Sequence, residues 1–208
     1  MEGVWAVVVA AGRGERLGLG YNKALHVLSG RSVIARTMDV LEASGCFEGA
    51  VLVIGAEDEA RYQALTASEG VSPLVRAIAR GGSSRRESVW NGLRMLPEGA
   101  RVVAIHDAAR CFVSTDLVRR TVESALLYGS GVAASPVSDT IKRIDEMGRA
   151  VSTVPRDTLR AVQTPQTFRV DRIRQAHLMA EAQGYQDATD GAGLMERAFG
   201  PVCLVETP

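Results

Sequence analysis

Val4-Trp5-Ala6-Val7-Val8-Val9, running straight into Ala10-Ala11-Gly12, is a continuous apolar stretch rich in β-branched residues rather than an alternating one. A strand with one wet face alternates, whereas a strand covered on both faces of a parallel sheet reads as an unbroken apolar run. Short runs of the same kind recur at residues 50–54 (AVLVI), 74–79 (LVRAIA), 102–105 (VVAI) and 132–134. Between them, residues 32–43, 58–67, 85–96 and 115–128 place apolar side chains at helical spacing, the last segment led by Ser114 and Thr115 as candidate N-caps. Strand and helix alternate through residue 135. The pattern predicts an open α/β sheet with right-handed crossovers.

The alternation breaks after Pro136. Residues 137–160 are polar, β-branched in patches and punctuated by Gly148 and Pro155, which predicts a β-ribbon projecting from the sheet and turning around residues 145–148. Helical spacing returns at 170–182 and 189–198, and residues 201–205 (PVCLV) read as a final short strand. No repeat, low-complexity tract or linker divides the chain, so one domain over residues 1–208 is expected, with the ribbon as an arm.

Composition narrows the function classes. The 208 residues carry 24 Lys+Arg against 24 Asp+Glu, a formal net charge of zero, so no broad field favours nucleic acid or an anionic membrane. A hydrophobic content of 46% with a mean hydropathy of +0.04 is that of a globular chain able to bury a core. No run approaches the ~20 apolar residues of a membrane helix, and residues 1–11 lack the basic start and cleavage pattern of a signal peptide. A cytoplasmic protein is expected. Cys46, Cys111 and Cys203 are scattered outside any Cys-x-x-Cys or Cys/His spacing, which reads as reduced packing residues rather than a zinc site.

Chemistry gathers at the ends of the predicted strands. Ala10-Ala11-Gly12-Arg13-Gly14-Glu15-Arg16-Leu17-Gly18 follows the first strand directly, and small residues let backbone N–H groups approach phosphate oxygens. The spacing is neither a dinucleotide fingerprint nor a Walker loop, since Leu17 stands where the third glycine belongs and no Gly-Lys-Ser/Thr follows. Arg16 and Lys23, separated by a stretch ending in GLGYN, add two cations of the kind a triphosphate wants; a surface loop with two solvated bases is the alternative. His106-Asp107-Ala108-Ala109-Arg110 follows residues 102–105, placing a carboxylate in the ligand crevice of an open α/β sheet. Asp107 is there a candidate ligand for a divalent cation bridging phosphates, or alternatively a helix N-cap. His106 reads equally as a hydrogen-bonded residue at the core edge and Arg110 as one half of a surface ion pair. Gly81-Gly82-Ser83-Ser84-Arg85 precedes a helix and offers N–H donors to an anion or base edge, or simply caps that helix. Trp5 and Trp90 read as core, and Lys142 as ribbon surface.

In order along the chain, AAGRGERLG with the following NK, GGSSRRESV, HDAAR, DTIKR, VPRDTLRAVQTPQ and ATDGAGLME resemble the motifs of the 2-C-methyl-D-erythritol 4-phosphate cytidylyltransferase family, from about residue 4 to residue 205. The first motif is shared by many sugar-nucleotide transferases; HDAAR, DTIKR and TPQ in this order are far more specific. The resemblance implies a Rossmann-like, glycosyltransferase-A-like sheet with a β-ribbon dimerisation arm. The implied activity is transfer of a cytidylyl group from CTP to 2-C-methyl-D-erythritol 4-phosphate in non-mevalonate isoprenoid biosynthesis, with Mg²⁺ or another divalent cation on Asp107, in a homodimer with shared sites. By the same resemblance Ala10, Ala11, Gly12 and Gly14 wrap CTP, and Arg16 and Lys23 neutralise transition-state charge. Gly82, Ser83 and Ser88 meet the cytosine and ribose, and Asp107 and Ala108 lie between nucleotide and acceptor. Arg110, Thr140, Arg156 and Thr164 serve the acceptor phosphate, Thr140 and Arg156 from the partner's ribbon. Read without that context, Thr140 and Thr164 are ordinary β-formers and Arg156 a solvated charge.

Three departures from the family carry expectations of their own. Asn22 stands where the family usually has Pro, so the φ restraint is lost and Lys23 is expected to be looser. Cys111 stands where Pro usually follows HDAAR, so a different turn out of the strand is expected. The family continues past its LVE strand into a lysine-bearing segment, whereas this sequence reads Val205-Glu206-Thr207-Pro208. CTP binding with weak transfer is expected of a polypeptide lacking that segment, which leaves a fragment of a longer or fused protein, or a CTP-binding module, as readings. Ribitol 5-phosphate is the alternative acceptor. A molybdenum-cofactor nucleotidyltransferase would share Asn22-Lys23-Ala24-Leu25 but not DTIKR or TPQ.

Overall fold

The opening run forms strand β1 (Val4–Ala10), buried on both faces as its composition demands. The structure is a computed structural model, and it describes residues 1–12, 20–185 and 190–207. After β1 come two short strands, β2 (Val27–Leu28) and β3 (Arg31–Ser32), and helix α1 (Val33–Ser44). Then follow β4 (Gly49–Ile54), α2 (Glu59–Glu69), β5 (Val75–Arg80), α3 (Arg85–Arg94) and β6 (Val102–Asp107). The second half holds α4 (Thr115–Tyr128), β7 (Ser130–Pro136), β8 (Ile141–Ile144), β9 (Ala150–Val154), β10 (Arg160–Arg169), α5 (Val170–Ala182), α6 (Gly191–Phe199) and β11 (Leu204–Glu206).

Among the described residues the main sheet has seven strands in the order β11-β7-β10-β6-β1-β4-β5. β1 pairs in parallel with β4 and β6, β4 with β5, and β7 with β11, while β10 runs antiparallel between β6 and β7. Side chains alternate across the sheet. Val4, Ala6, Val8 and Ala10 of β1 pack with Ile34, Met38 and Leu41 of α1 and with Val118 and Val122 of α4. Val7 points the other way, into a cluster with Val89 and Leu93 of α3, Ile173 of α5 and Leu194 of α6. Helices α1, α3, α4 and α6 start on Ser32, Ser84, Ser114 and Asp190, each accepting from the backbone N–H three residues on.

The main departure from the sequence reading is β10. The ribbon was expected to run to residue 160, but its paired strands are β8 and β9, turning through Asp145 and Gly148 (φ 75°), and residues 160–169 rejoin the main sheet. Val162-Gln163-Thr164-Pro165-Gln166-Thr167 did not read as a strand because its buried positions are polar and it contains a proline. The interior accepts them because they are satisfied. Thr167 Oγ1 donates to Thr121 Oγ1 at 3.2 Å, and Gln166 Nε2 donates to Asp190 Oδ2 at 2.7 Å while its Oε1 accepts from the N–H groups of Gly191 and Ala192. The proline falls where the register against β7 shifts between Val162 and Gln166.

Candidate active site

The sequence runs from β1 out to β4 and β5, then returns to place β6 on the other side of β1. That reversal opens a crevice beyond the C-terminal ends of β1 and β6, the usual ligand position in an open α/β sheet. Ala10 ends β1, and Asp107 ends β6 paired with Val9; Ala108 N–H donates to the Val9 carbonyl at 3.0 Å. Ala108 itself is fully buried, and its carbonyl accepts from Thr37 Oγ1 at 2.7 Å.

Two further segments are tied to the start of the glycine loop. Asn22 Nδ2 donates to the Ala10 carbonyl at 2.5 Å, bringing Lys23 to the end of β1 with its side chain exposed. Gly81 sits so close to Ala11 that any side chain at position 81 would strike the Ala11 methyl. Gly14 and Arg16 lie outside the described residues.

The turn after Gly81 is built from its own polar groups. Gly82 N–H donates to Ser88 Oγ at 3.0 Å, and Ser88 Oγ donates to the Ser84 carbonyl at 2.9 Å from a buried position. Ser83 gives both its N–H and its hydroxyl to Glu87 Oε2, each at 2.7 Å, and these bonds hold the exposed Glu87 carboxyl below its usual range. The turn is therefore a helix cap and a shaped surface at once. Its N–H donors at positions 82 and 83 are committed within the turn.

Asp107 is not a helix cap. Arg85, in the first turn of α3, donates to Asp107 Oδ1 from Nη2 at 2.8 Å and from Nε at 3.2 Å, while Arg110 Nε lies 3.5 Å from Oδ2. The carboxylate side chain is 32% exposed between two cations. Arg85 was not singled out from the sequence for this role; its only signal was its position beside the Gly81-Gly82 turn.

Beneath this turn lies a buried relay. His106 is fully buried, and burial is the main cause that pushes its pKa down to about 4, so the ring is neutral near pH 7. His106 Nε2 lies 3.2 Å from the Arg110 carbonyl, which can only accept, so the proton is assigned to Nε2. Nδ1 is then an acceptor, and Thr164 Oγ1, 3.1 Å away, must donate to it. The same Thr164 oxygen accepts from Asp107 N–H at 3.1 Å. Thr164 is buried, and its single hydroxyl proton is used inside the protein. Cys111, next in the chain, is also buried.

Asn22, expected to cost Lys23 a restraint, keeps the backbone angle that proline would set. Its φ is −63°, and its side chain caps the short 3₁₀ turn Lys23–Leu25 by accepting from Ala24 N–H at 2.8 Å. Thr140 and Arg156 stand apart: both are exposed beside the ribbon, and Arg156 donates to the Ser138 carbonyl at 2.6 Å. Among the described residues no hydrogen bond or ion pair joins them to the crevice. A separate cavity of about 160 Å³ between α1 and α2, with Met38, Leu52 and Tyr62 in its wall, includes none of the candidate residues.

The family model for IspD, 2-C-methyl-D-erythritol 4-phosphate cytidylyltransferase, matches residues 4–207. The chain belongs to that family. Relatives bearing this family's name include a protein of Prochlorococcus marinus (strain MIT 9313), 41% identical over 200 residues that cover 96% of this chain and 87% of the relative. Another, from Synechococcus sp. (strain CC9902), is 45% identical over 192 residues, 92% of this chain and 83% of the relative. Among solved structures, the 4-diphosphocytidyl-2C-methyl-D-erythritol synthase of Anaerococcus prevotii superimposes with a TM-score of 0.84 at 26% identity, covering 99% of this chain and 89% of that one. The Gly82 turn, Asp107 and the end of β1 thus border one crevice in a chain of this family.

Proposed function

We propose that this chain transfers the cytidylyl group of CTP to 2-C-methyl-D-erythritol 4-phosphate. An acceptor phosphate oxygen attacks the α-phosphorus, the bond from that phosphorus to its β-bridging oxygen breaks, and pyrophosphate leaves with the electron pair. Such a reaction needs positioning and charge stabilisation more than covalent catalysis. The observation that carries the reading is the convergence of Ala10, Lys23, the Gly82 turn and the Arg85–Asp107–Arg110 cluster on one crevice, in a chain of this family.

In this reading the backbone at Ala10, Ala11, Gly12 and Gly14 cradles the triphosphate, and Arg16 and Lys23 offset the charge that builds on α-phosphate and leaving group. Carbonyls of the Gly82-Ser83 turn, shaped from below by Ser88, accept from the cytosine amine, which a uracil lacks. Ala108 fixes the height of Asp107. Arg110 meets the acceptor phosphate, and Thr164 supports the site from beneath by holding His106 and the Asp107 N–H. Among the described residues no three His, Cys, Asp or Glu side chains gather into a cage. The Asp107 carboxylate, which Arg85 and Arg110 share, would hold Mg²⁺ or a similar divalent ion jointly with substrate phosphates. When bound, such an ion supplies charge neutralisation across the phosphates.

The proposal extends to assembly. The chain acts as one nucleotidyltransferase domain, and the β8–β9 ribbon reaches a second copy, carrying Thr140 and Arg156 to that copy's acceptor site. Ile144, Met147 and Val151 on the ribbon are 63%, 76% and 59% exposed, and an isolated two-stranded ribbon gains stability by covering such side chains. The free thiols Cys46, Cys111 and Cys203 suit a reducing compartment, and we assign the cytoplasm; among the described residues no helix is long and apolar enough to cross a membrane. Pyrophosphate release tests the reaction. It is expected with CTP and 2-C-methyl-D-erythritol 4-phosphate, with much slower release when ribitol 5-phosphate replaces the acceptor or UTP the nucleotide. Faster turnover of ribitol 5-phosphate would transfer the assignment to that acceptor.

A further inference from the structure

Lys23 is an exposed, flexible side chain on a turn whose other residues, Asn22, Ala24 and Leu25, are buried, so its usefulness in phosphoryl transfer depends on what fixes that turn. Asn22, only 4% exposed, holds three partners at once: Nδ2 donates to the Ala10 carbonyl, Oδ1 accepts from Ala24 N–H, and its own N–H donates to Asp58 Oδ1 at 3.3 Å. Asp58 occupies the N-cap position of α2 but makes no capping bond to its own helix, and it is 3% exposed. Its carboxylate has been diverted from the usual task of that position toward Asn22. One turn further along α2, the Arg61 guanidinium lies 3.7 Å from the centre of the Tyr21 ring, and the Tyr21 hydroxyl is 2.9 Å from His26 Nδ1. The residues immediately before Lys23 are thus held from β1 on one side and from the first turns of α2 on the other.

We infer that Asn22 and Asp58 are positioning residues for the transfer reaction, forming a buried polar link that aims Lys23 at the nucleotide phosphates from the end of β1. The inference rests on the proposed role of Lys23. This chain has Asn where proline alone would set φ, and it obtains the same φ together with three hydrogen bonds that proline could not make. Asp58 is the partner that makes the backbone N–H of residue 22 useful. Losing the Asn22 side chain strands the Ala10 carbonyl and the Ala24 N–H, losing the Asp58 carboxylate strands the N–H of residue 22, and either loss lets the 3₁₀ turn drift; displacement of about 1 Å can cost ~10²-fold in such a reaction.

The test is a double-variant comparison on the full chain, with turnover of CTP and the acceptor followed under saturating and single-turnover conditions. Asn22→Ala, Asn22→Pro and Asp58→Ala are each expected to lower kcat by about 10- to 100-fold with little change in KM for CTP. Asn22→Ser, which keeps an oxygen for Ala24 N–H, is expected to fall in between. In a Lys23→Ala background the same substitutions should change kcat less than about twofold, because they act through the lysine. A purely structural role would give the same loss in both backgrounds, and that result overturns the inference, as does wild-type kcat in Asn22→Pro. Should Asn22→Ala not fold, Asn22→Pro keeps the native φ and Asn22→Ser keeps the cap, so the comparison stands on them. Full activity in Lys23→Ala alone would instead refute the role of the lysine, and with it this inference, in a single-variant measurement that needs no Asn22 substitution.

Discussion

Replacing Thr164 by valine keeps its shape and removes its hydroxyl. Two polar atoms then lose their partners: His106 Nδ1, in a fully buried ring, and the Asp107 N–H at the end of β6. An orphaned buried donor or acceptor costs about 1–3 kcal/mol, so Thr164→Val should destabilise the protein by roughly 2–5 kcal/mol. Thr164→Ser keeps both bonds and loses one methyl group, a cost of about 1 kcal/mol. For a chain of 208 residues the difference corresponds to a melting temperature about 3–15 °C lower for valine than for serine. Urea unfolding and thermal melts without substrates measure it, so any contact of Thr164 with an acceptor does not enter. If valine proves as stable as serine, the hydroxyl proton is not committed to His106, and the tautomer and relay described above are wrong.

Other consequences concern the interior. His106 and His177 both have pKa values pushed down to about 4, mainly by burial, with Arg86 adding to the effect at His177. A folded-state pKa below the unfolded value near 6.5 means that the unfolded chain binds more protons between the two. Each histidine therefore contributes stability that is full above pH 6.5 and is lost as pH falls through 4, on the order of 3 kcal/mol at the limit. His177→Phe, which preserves the stack on Trp90, should flatten this acid loss in urea titrations between pH 7 and pH 4, and an unchanged slope would remove His177 from the account. At Gly92 an added Cβ would lie 2.6 Å from Val7 Cγ1 and 2.9 Å from Val53 Cγ2, so Gly92→Ala should cost about 1–3 kcal/mol by overpacking α3 on the sheet, while Gly99→Ala, with open space around it, should be near neutral.

The parallel half of the fold was legible because strands buried on both faces leave an unmistakable composition: residues 4–9 and 50–54 need no partner to be recognised. β10 was not, because its inward positions are Thr164, Gln166 and Thr167, whose fitness for the interior depends on Thr121, Asp190 and His106 elsewhere in the chain. The same limit governs the site. A carboxylate after a buried strand marked Asp107, and Arg110 is its neighbour three residues on, but that Arg85 flanks it too depends on how α3 packs over β1, β4 and β5, which no local pattern reports. Asn22 shows the same limit from the other side. Judged by backbone restraint alone it weakens the turn, whereas its buried hydrogen bonds restore what the missing ring would have given.

The claim that an acceptor phosphate oxygen attacks the α-phosphorus of CTP is tested most directly by isotope transfer. With 2-C-methyl-D-erythritol 4-phosphate fully labelled with ¹⁸O in its phosphate, mass spectrometry of the products should find all of the label in a cytidine diphosphate diester and none in pyrophosphate. Label in pyrophosphate, or CMP formed by water in place of the diester, would contradict the assignment of this crevice to cytidylyl transfer.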